Sequence, residues 1–133
     1  MPDKVTGREI LTLHRYFISA NRMKKHFEEL KPAVSQEKLD SFIEPMIYMS
    51  FWYAGLFVVI EGWRELGLTD SRIDNLLQSP NVELLRRYRN GAFHFQPEYF
   101  DARFIDFIKE PGTVQWVREL NENFGRWFLG RPN

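Results

Sequence analysis

The stretch from Met46 to Ile60 constrains this chain more than any other. It is almost wholly apolar, with Glu44 and Pro45 before it and Glu61 after it. Such a segment has to be wrapped in other apolar surface, in a bilayer or in a protein interior. Taken from Met46 to Ile60 it is shorter than the roughly 20 residues that span a bilayer. The expectation is therefore a helix buried inside a bundle. The residues Met1-Pro2-Asp3-Lys4 open no apolar signal region, so a cytoplasmic location without a membrane partner is expected.

The rest of the chain must supply the wrapping, and its patterning is helical. Ile10, Leu13, Phe17 and Ala20 recur at spacings of three and four, with Leu11, His14 and Ile18 widening the stripe. This predicts a first helix from about Gly7 to Glu29, ended by Pro32. Ser35 is placed to cap a second helix, in which Pro45 should cause a kink or restart before the apolar run continues to Leu66 and stops at Gly67. Thr69 or Asp70 caps a short segment through Leu77. Ser79-Pro80 starts a helix carrying Val82, Leu84, Leu85 and Tyr88, which Pro97 should end near Phe95. A further helix over about 98–108 has Glu98 and Asp101 in its first turn. After Pro111-Gly112, Thr113 caps a last helix with Val114, Val117, Leu120, Phe124 and Phe128 inward and Trp116 and Trp127 on a flanking face. No repeat or linker interrupts the pattern. The fold expected is all-α, one domain over 1–133, an up-and-down helical bundle of about four main helices plus short ones.

Composition narrows the chemistry. Eighteen basic and eighteen acidic side chains cancel, which argues against a protein that coats nucleic acid by bulk charge but leaves room for a local basic site. The absence of cysteine removes disulfides, thiolate catalysis and Cys-based zinc sites. His14, His26 and His94 show no ligand spacing, so neither a metal nor another cofactor is expected. Twelve Phe, four Trp and five Tyr exceed what a small interior needs, which points to aromatic residues at a subunit interface.

The chemistry concentrates in Arg89-Asn90-Gly91-Ala92-Phe93-His94. A permanent cation, an amide and an imidazole stand together on one helical stretch. Asn90 and His94 are four residues apart, about 40° of rotation on a helix, so both point one way, and Arg87 shares that face. Arg89 sits roughly 140° from His94 on an ideal helix, which suits a target lying across a groove or between two molecules. Arg86, Arg87 and Arg89 form the one dense cationic cluster. Arginine grips phosphate bidentately and keeps its proton; histidine exchanges protons near neutrality. Mid-helix Gly91, with Ala92, makes a smooth patch that lets another helix or a nucleic-acid strand come close. Plainer roles fit the same residues: His94 as a helix-end residue, Arg89 paired with Glu83 or Glu98, Glu61 as a surface glutamate paired with Arg64.

Arg89-Asn90 followed by His94, late in an all-helical chain, resembles the signature of the HEPN superfamily: arginine, commonly with asparagine after it, four to six residues, then histidine. The resemblance covers six residues in motif and most of the chain in architecture. It implies a metal-independent endoribonuclease of a toxin–antitoxin, phage-defence or RNA-processing system, with its site formed at a homodimer interface through the motif-bearing helix. Arg89 would hold the scissile phosphate, His94 would exchange a proton with the 2′-hydroxyl or the leaving oxygen, and Asn90 would orient one of them. The product would be a cyclic phosphate. Glu61 is the candidate for an acidic residue on the packed helix that pairs with Arg89. RNA and an antitoxin protein are the partners implied. In one branch of the family a tyrosine stands two residues after the histidine; here that position is Gln96, and Tyr99 is at the wrong spacing, which counts against control by nucleotidyl modification. A non-catalytic RNA- or nucleotide-binding or protein-docking bundle, or a purely structural subunit, would use the same cations.

Overall fold

A computed structural model describes residues 5–30, 40–95, 97 and 102–130. They are helical without a strand among the described residues. In order come α1 (Gly7–Leu30), α2 (Asp40–Glu65), α3 (Ser71–Leu76), α4 (Asn81–Phe93), α5 (Ala102–Lys109) and α6 (Thr113–Leu129). Pro32 and Ser35, expected to shape the α1–α2 connection, and Gln96, Glu98, Tyr99 and Asp101 lie outside the described residues.

Local chemistry accounts for most helix ends. Thr6 and Glu9 form a reciprocal capping box: the Glu9 N–H donates to Thr6 Oγ1 at 3.1 Å and the Thr6 N–H to Glu9 Oε1 at 3.1 Å. After α2, Gly67 takes φ +66, the left-handed conformation glycine adopts without strain. The N–H groups of Gly67 and Leu68 then close back on the carbonyls of Arg64 and Trp63, a Schellman stop. Asp70, rather than Thr69, caps α3, accepting from the N–H groups of Arg72 and Ile73. Pro45 is buried inside α2 and does not divide it, so the expected restart is not seen.

α2 is the axis of the bundle. Trp52, Ala54, Leu56, Val59, Ile60 and Trp63 are buried along it, because α1 covers one side, α4 another, and α6 reaches Trp52 and Trp63 through Asn121, Phe124 and Trp127. α1 runs antiparallel to α2. Ala20 faces Gly55, where an added Cβ would stand 3.1 Å from the Ala20 methyl, and Leu13 lies over Gly62. Two missing side chains thus let the two longest helices approach closely. Phe17 packs on Phe124 and Phe128 of α6. Burying each such Phe contributes roughly 1.5–3 kcal/mol before the entropy of ordering is counted.

Several expectations need correcting. Leu11 and Ile18 do not widen the buried stripe of α1; they are exposed, as is Val114 on α6. Trp116 belongs to the core rather than a flanking face, its indole N–H donating to the Leu76 carbonyl at 2.9 Å. Thr113 does not cap α6. Gly112 does so at φ +84, while the buried Thr113 hydroxyl lies 2.7 Å from the Phe107 carbonyl and ties α5 to α6. The span Ile43–Glu65 is long and apolar enough by length and composition to cross a membrane, longer than the Met46–Ile60 segment read from sequence; half of it is buried inside the fold.

Candidate functional site

The motif sits on α4, and the way α4 is anchored decides what each of its polar groups can reach. Val82, Leu85 and Tyr88 bury one stripe of the helix. At its start the Asn81 N–H donates to Ser79 Oγ at 3.0 Å. Midway, the Tyr88 hydroxyl bonds Ser50 of α2 at 3.0 Å while its ring meets the edges of Tyr53 and Phe104. Burial pushes the Tyr88 phenol up to about 12, against the opposing pull of the Ser50 bond, so it stays a neutral structural clamp.

Arg89 leaves the flank of this stripe and crosses to α2. Its Nη1 lies 2.9 Å from Glu61 Oε1, its Nε donates to Asn90 Oδ1 at 3.2 Å, and its guanidinium carbon stands 4.9 Å from the centre of the Phe57 ring. The Arg89 side chain is 25 % exposed and that of Glu61 50 %. The two bonds engage two of the five N–H donors of a guanidinium. The cation is thus held in one orientation by a carboxylate, an amide and a ring while keeping donors for an anion. Asn90 is turned to Arg89. Phe57 was missed in sequence, where nothing distinguished it from the other apolar residues of α2.

His94 is not in the last turn of α4. The helix ends at Phe93, and His94 is its C-cap in extended conformation, φ −120 and ψ 132, with its N–H donating to the Asn90 carbonyl at 3.1 Å. At His94 the backbone leaves helical geometry, so the ideal-helix placement of Asn90, His94 and Arg87 on one face does not extend to it. Gly91 weakens the final turn, and the imidazole is carried out at the exposed end of the helix. Arg87 instead reaches α5, its Nη1 3.2 Å from Asp106 Oδ2. Arg86 folds onto Glu83 of its own helix, Nε donating to Oε1 at 2.9 Å. That hydrogen bond holds the Glu83 carboxyl below its usual range and raises the Arg86 guanidinium. Arg86 and Arg87 thus point away from the Arg89–Glu61 pair.

The smooth patch expected at Gly91 is taken by the chain itself. An added Cβ there would stand 3.2 Å from the Phe104 ring and 3.4 Å from the Arg103 Cβ, so the glycine admits α5. Among the described residues no group of three or more His, Asp or Glu side chains is gathered in a way that would hold a metal ion.

A cavity of about 550 Å³ opens on the outer side of α2, between α1 and the end of α4 that carries the motif. Phe93, one turn beyond Arg89 on α4, forms part of its wall. The signal for it was present in sequence: Phe51, Gly55 and Val58 share a second face of α2, opposite the one that fills the core. No protein-family model, no curated protein and no solved structure matches this chain.

Proposed function

We propose that this protein is a metal-independent endoribonuclease of the HEPN type, acting in the cytoplasm in a toxin, phage-defence or RNA-processing role. The observation that carries the reading is the fixed guanidinium of Arg89, held by Glu61, Asn90 and Phe57 on the helix that ends in the exposed His94.

A guanidinium with free donors binds the non-bridging oxygens of a phosphodiester and stabilises the charge that builds on them. The neighbouring 2′-hydroxyl then attacks phosphorus. The O2′–P bond forms, the P–O5′ bond breaks, and the products are a 2′,3′-cyclic phosphate and a 5′-hydroxyl. One base must take the 2′ proton and one acid must protonate O5′; an imidazole near neutrality serves either task. DNA lacks the nucleophile, which restricts the reaction to RNA. The two proton-transfer tasks suit two imidazoles supplied by two copies of the chain. A homodimer meeting at the α4 ends is the arrangement proposed. Phe95, 91 % exposed beside the motif, is apolar surface for that contact. An antitoxin protein covering the same end would silence the site.

One observation favours a second reading, a non-catalytic RNA- or nucleotide-binding or protein-docking module: Glu61 already neutralises Arg89. Incubation with total RNA in excess EDTA, beside the His94→Ala protein, separates the two. Cleavage lost in the variant supports the nuclease. RNA bound but left intact by both forms supports the module.

A further inference from the structure

The cavity beside the motif has a composition that a core by-product lacks. Gly55 and Ala20 draw α1 and α2 together, leaving a trough floored by Gly55 itself. Tyr16 lines one side, and Phe51 and Phe93 the other, each about half exposed at 46 %, 49 % and 52 %. Leaving three large rings in water costs stability, and isolated exposed rings need no explanation, but three around one concavity do. The Phe51 and Phe93 rings meet at 60° with centroids 5.8 Å apart, so the face of one lies beside the edge of the other in an angled cleft. The Arg15 guanidinium stands 5.6 Å from the centre of the Tyr16 ring. Within the lining, Ser19 and Arg22 are the hydrogen-bonding side chains beside the Tyr16 hydroxyl.

We propose that this cavity seats one unpaired nucleobase of the RNA strand whose phosphate Arg89 holds. The inference rests on the proposed nuclease reading and deepens it, since it makes the substrate single-stranded beside the cut. The volume falls in the range of small-molecule sites. Aromatic faces flanked by cations are what a single strand requires: rings for its bases, and Arg22 and Arg89 for phosphates on either side. A protein helix laid in the same trough would cover Arg22 with apolar surface, and that guanidinium has no carboxylate partner among the described residues to offset the cost. With few polar groups in the lining, stacking supplies most of the affinity and base identity is read weakly.

The test uses the full chain and a short fluorescent single-stranded RNA, 2′-O-methylated so that it cannot be cut, with binding followed by anisotropy. Tyr16→Ala and Phe51→Ala are expected to raise Kd about 10-fold each, in line with the loss of one stacked base. Phe51→Trp should restore binding, and Ile108→Ala, at an exposed apolar residue outside the cavity, should leave it unchanged. Removing the base at one position of the oligonucleotide should weaken wild-type binding by the same factor without weakening Phe51→Ala further. Unchanged Kd in Tyr16→Ala and Phe51→Ala, with Arg89→Ala still weakening binding, overturns the base site and leaves the nuclease reading intact. Kd unchanged in Arg89→Ala as well overturns both. Loss of a dimer by light scattering in the cavity variants, with RNA affinity kept, assigns the trough to contact between copies and also overturns the proposal. Competition by a mononucleotide as strong as by the oligonucleotide would make the cavity a free-nucleotide site and reject the strand.

Discussion

The inner face of α2 and its outer face near the end of α4 treat polar and aromatic groups in opposite ways. Inside, every indole that could be stranded has a partner. Trp52 donates to Asn121, whose amide donates on to Asn21; Trp63 donates to Asp74. Among the described residues no buried side-chain nitrogen or oxygen lacks a hydrogen bond. Outside, Phe51, Phe93 and Phe95 stand in water next to a guanidinium fixed by an ion pair and an imidazole beyond the helix end. A core is stable when its polar groups are closed on one another, whereas a reacting surface needs donors left open. The contrast separates a region whose polar groups are closed on one another from one that leaves rings and N–H donors in water.

Substitutions that exchange these two behaviours should separate rate from stability. The largest expected effect is on rate: His94→Ala should lower metal-free RNA cleavage by about 10²–10⁴-fold, while its exposed position keeps the thermal midpoint unchanged. Initial rates on labelled RNA, with a melt of the same sample, check both halves, and a variant that cuts at the wild-type rate breaks the contrast. On the inner face, Asn121→Leu strands the Trp52 indole N–H and should cost about 1–3 kcal/mol in urea unfolding, without altering cleavage by the folded protein. Asp70→Ala removes the α3 cap and should cost about 1 kcal/mol by the same measurement.

Acid should act through the same carboxylates. Burial alone would raise Asp70, but the N–H of Ile73 and the Arg126 guanidinium outweigh it and hold its pKa below the ordinary 3.8. A hydrogen bond from Lys24, with Arg118 nearby, lowers Glu28 from 4.5. Both pKa values are depressed on folding. Their stabilisation is therefore complete above the ordinary values and is lost as pH falls through the lower, folded ones. Urea midpoints should be flat in this respect above about pH 5 and fall below about pH 4, and Asp70→Ala should shallow the fall. Glu61→Gln should change stability by under about 1 kcal/mol, as for a half-exposed pair. Its expected signature is kinetic: RNA should bind more tightly without the carboxylate, and turnover should drop without the ion pair that orients Arg89. Turnover unchanged in this variant would remove Glu61 from the site.

Much of this was legible in the residues. The helix spans follow from three-and-four spacing and from Gly67, Asp70 and Pro111-Gly112, all of which act over a few neighbours. The Thr6–Glu9 capping box was equally legible, a threonine three residues before a glutamate, and went unread. Pairing of Arg89 with Glu61, expected from the motif, is present as a contact. Other features depended on partners far along the chain. Gly91 looked like an open patch because nothing local says that Phe104 of α5 will lie on it. Arg87 looked like a member of the motif face until Asp106 drew it to α5. Trp116 and Val114, two residues apart on α6, exchanged their expected surroundings, since they flank opposite edges of the stripe formed by Val117, Leu120 and Phe124 and a modest rotation of the helix decides which edge is covered.

The sequence by itself determined that the chain is helical, where most of its helices begin and end, and that its cation and amide stand late on one of them with the imidazole close behind. Those properties arise from backbone propensity, capping and periodicity, which a residue shares only with neighbours within a turn or two. Tertiary structure alone decided that Arg89 is clamped over Phe57, that α5 occupies Gly91, and that the outer face of α2 forms a ring-lined cavity. Each of these depends on the rotation and register of helices far apart in the chain, which side-chain packing selects and local sequence does not encode.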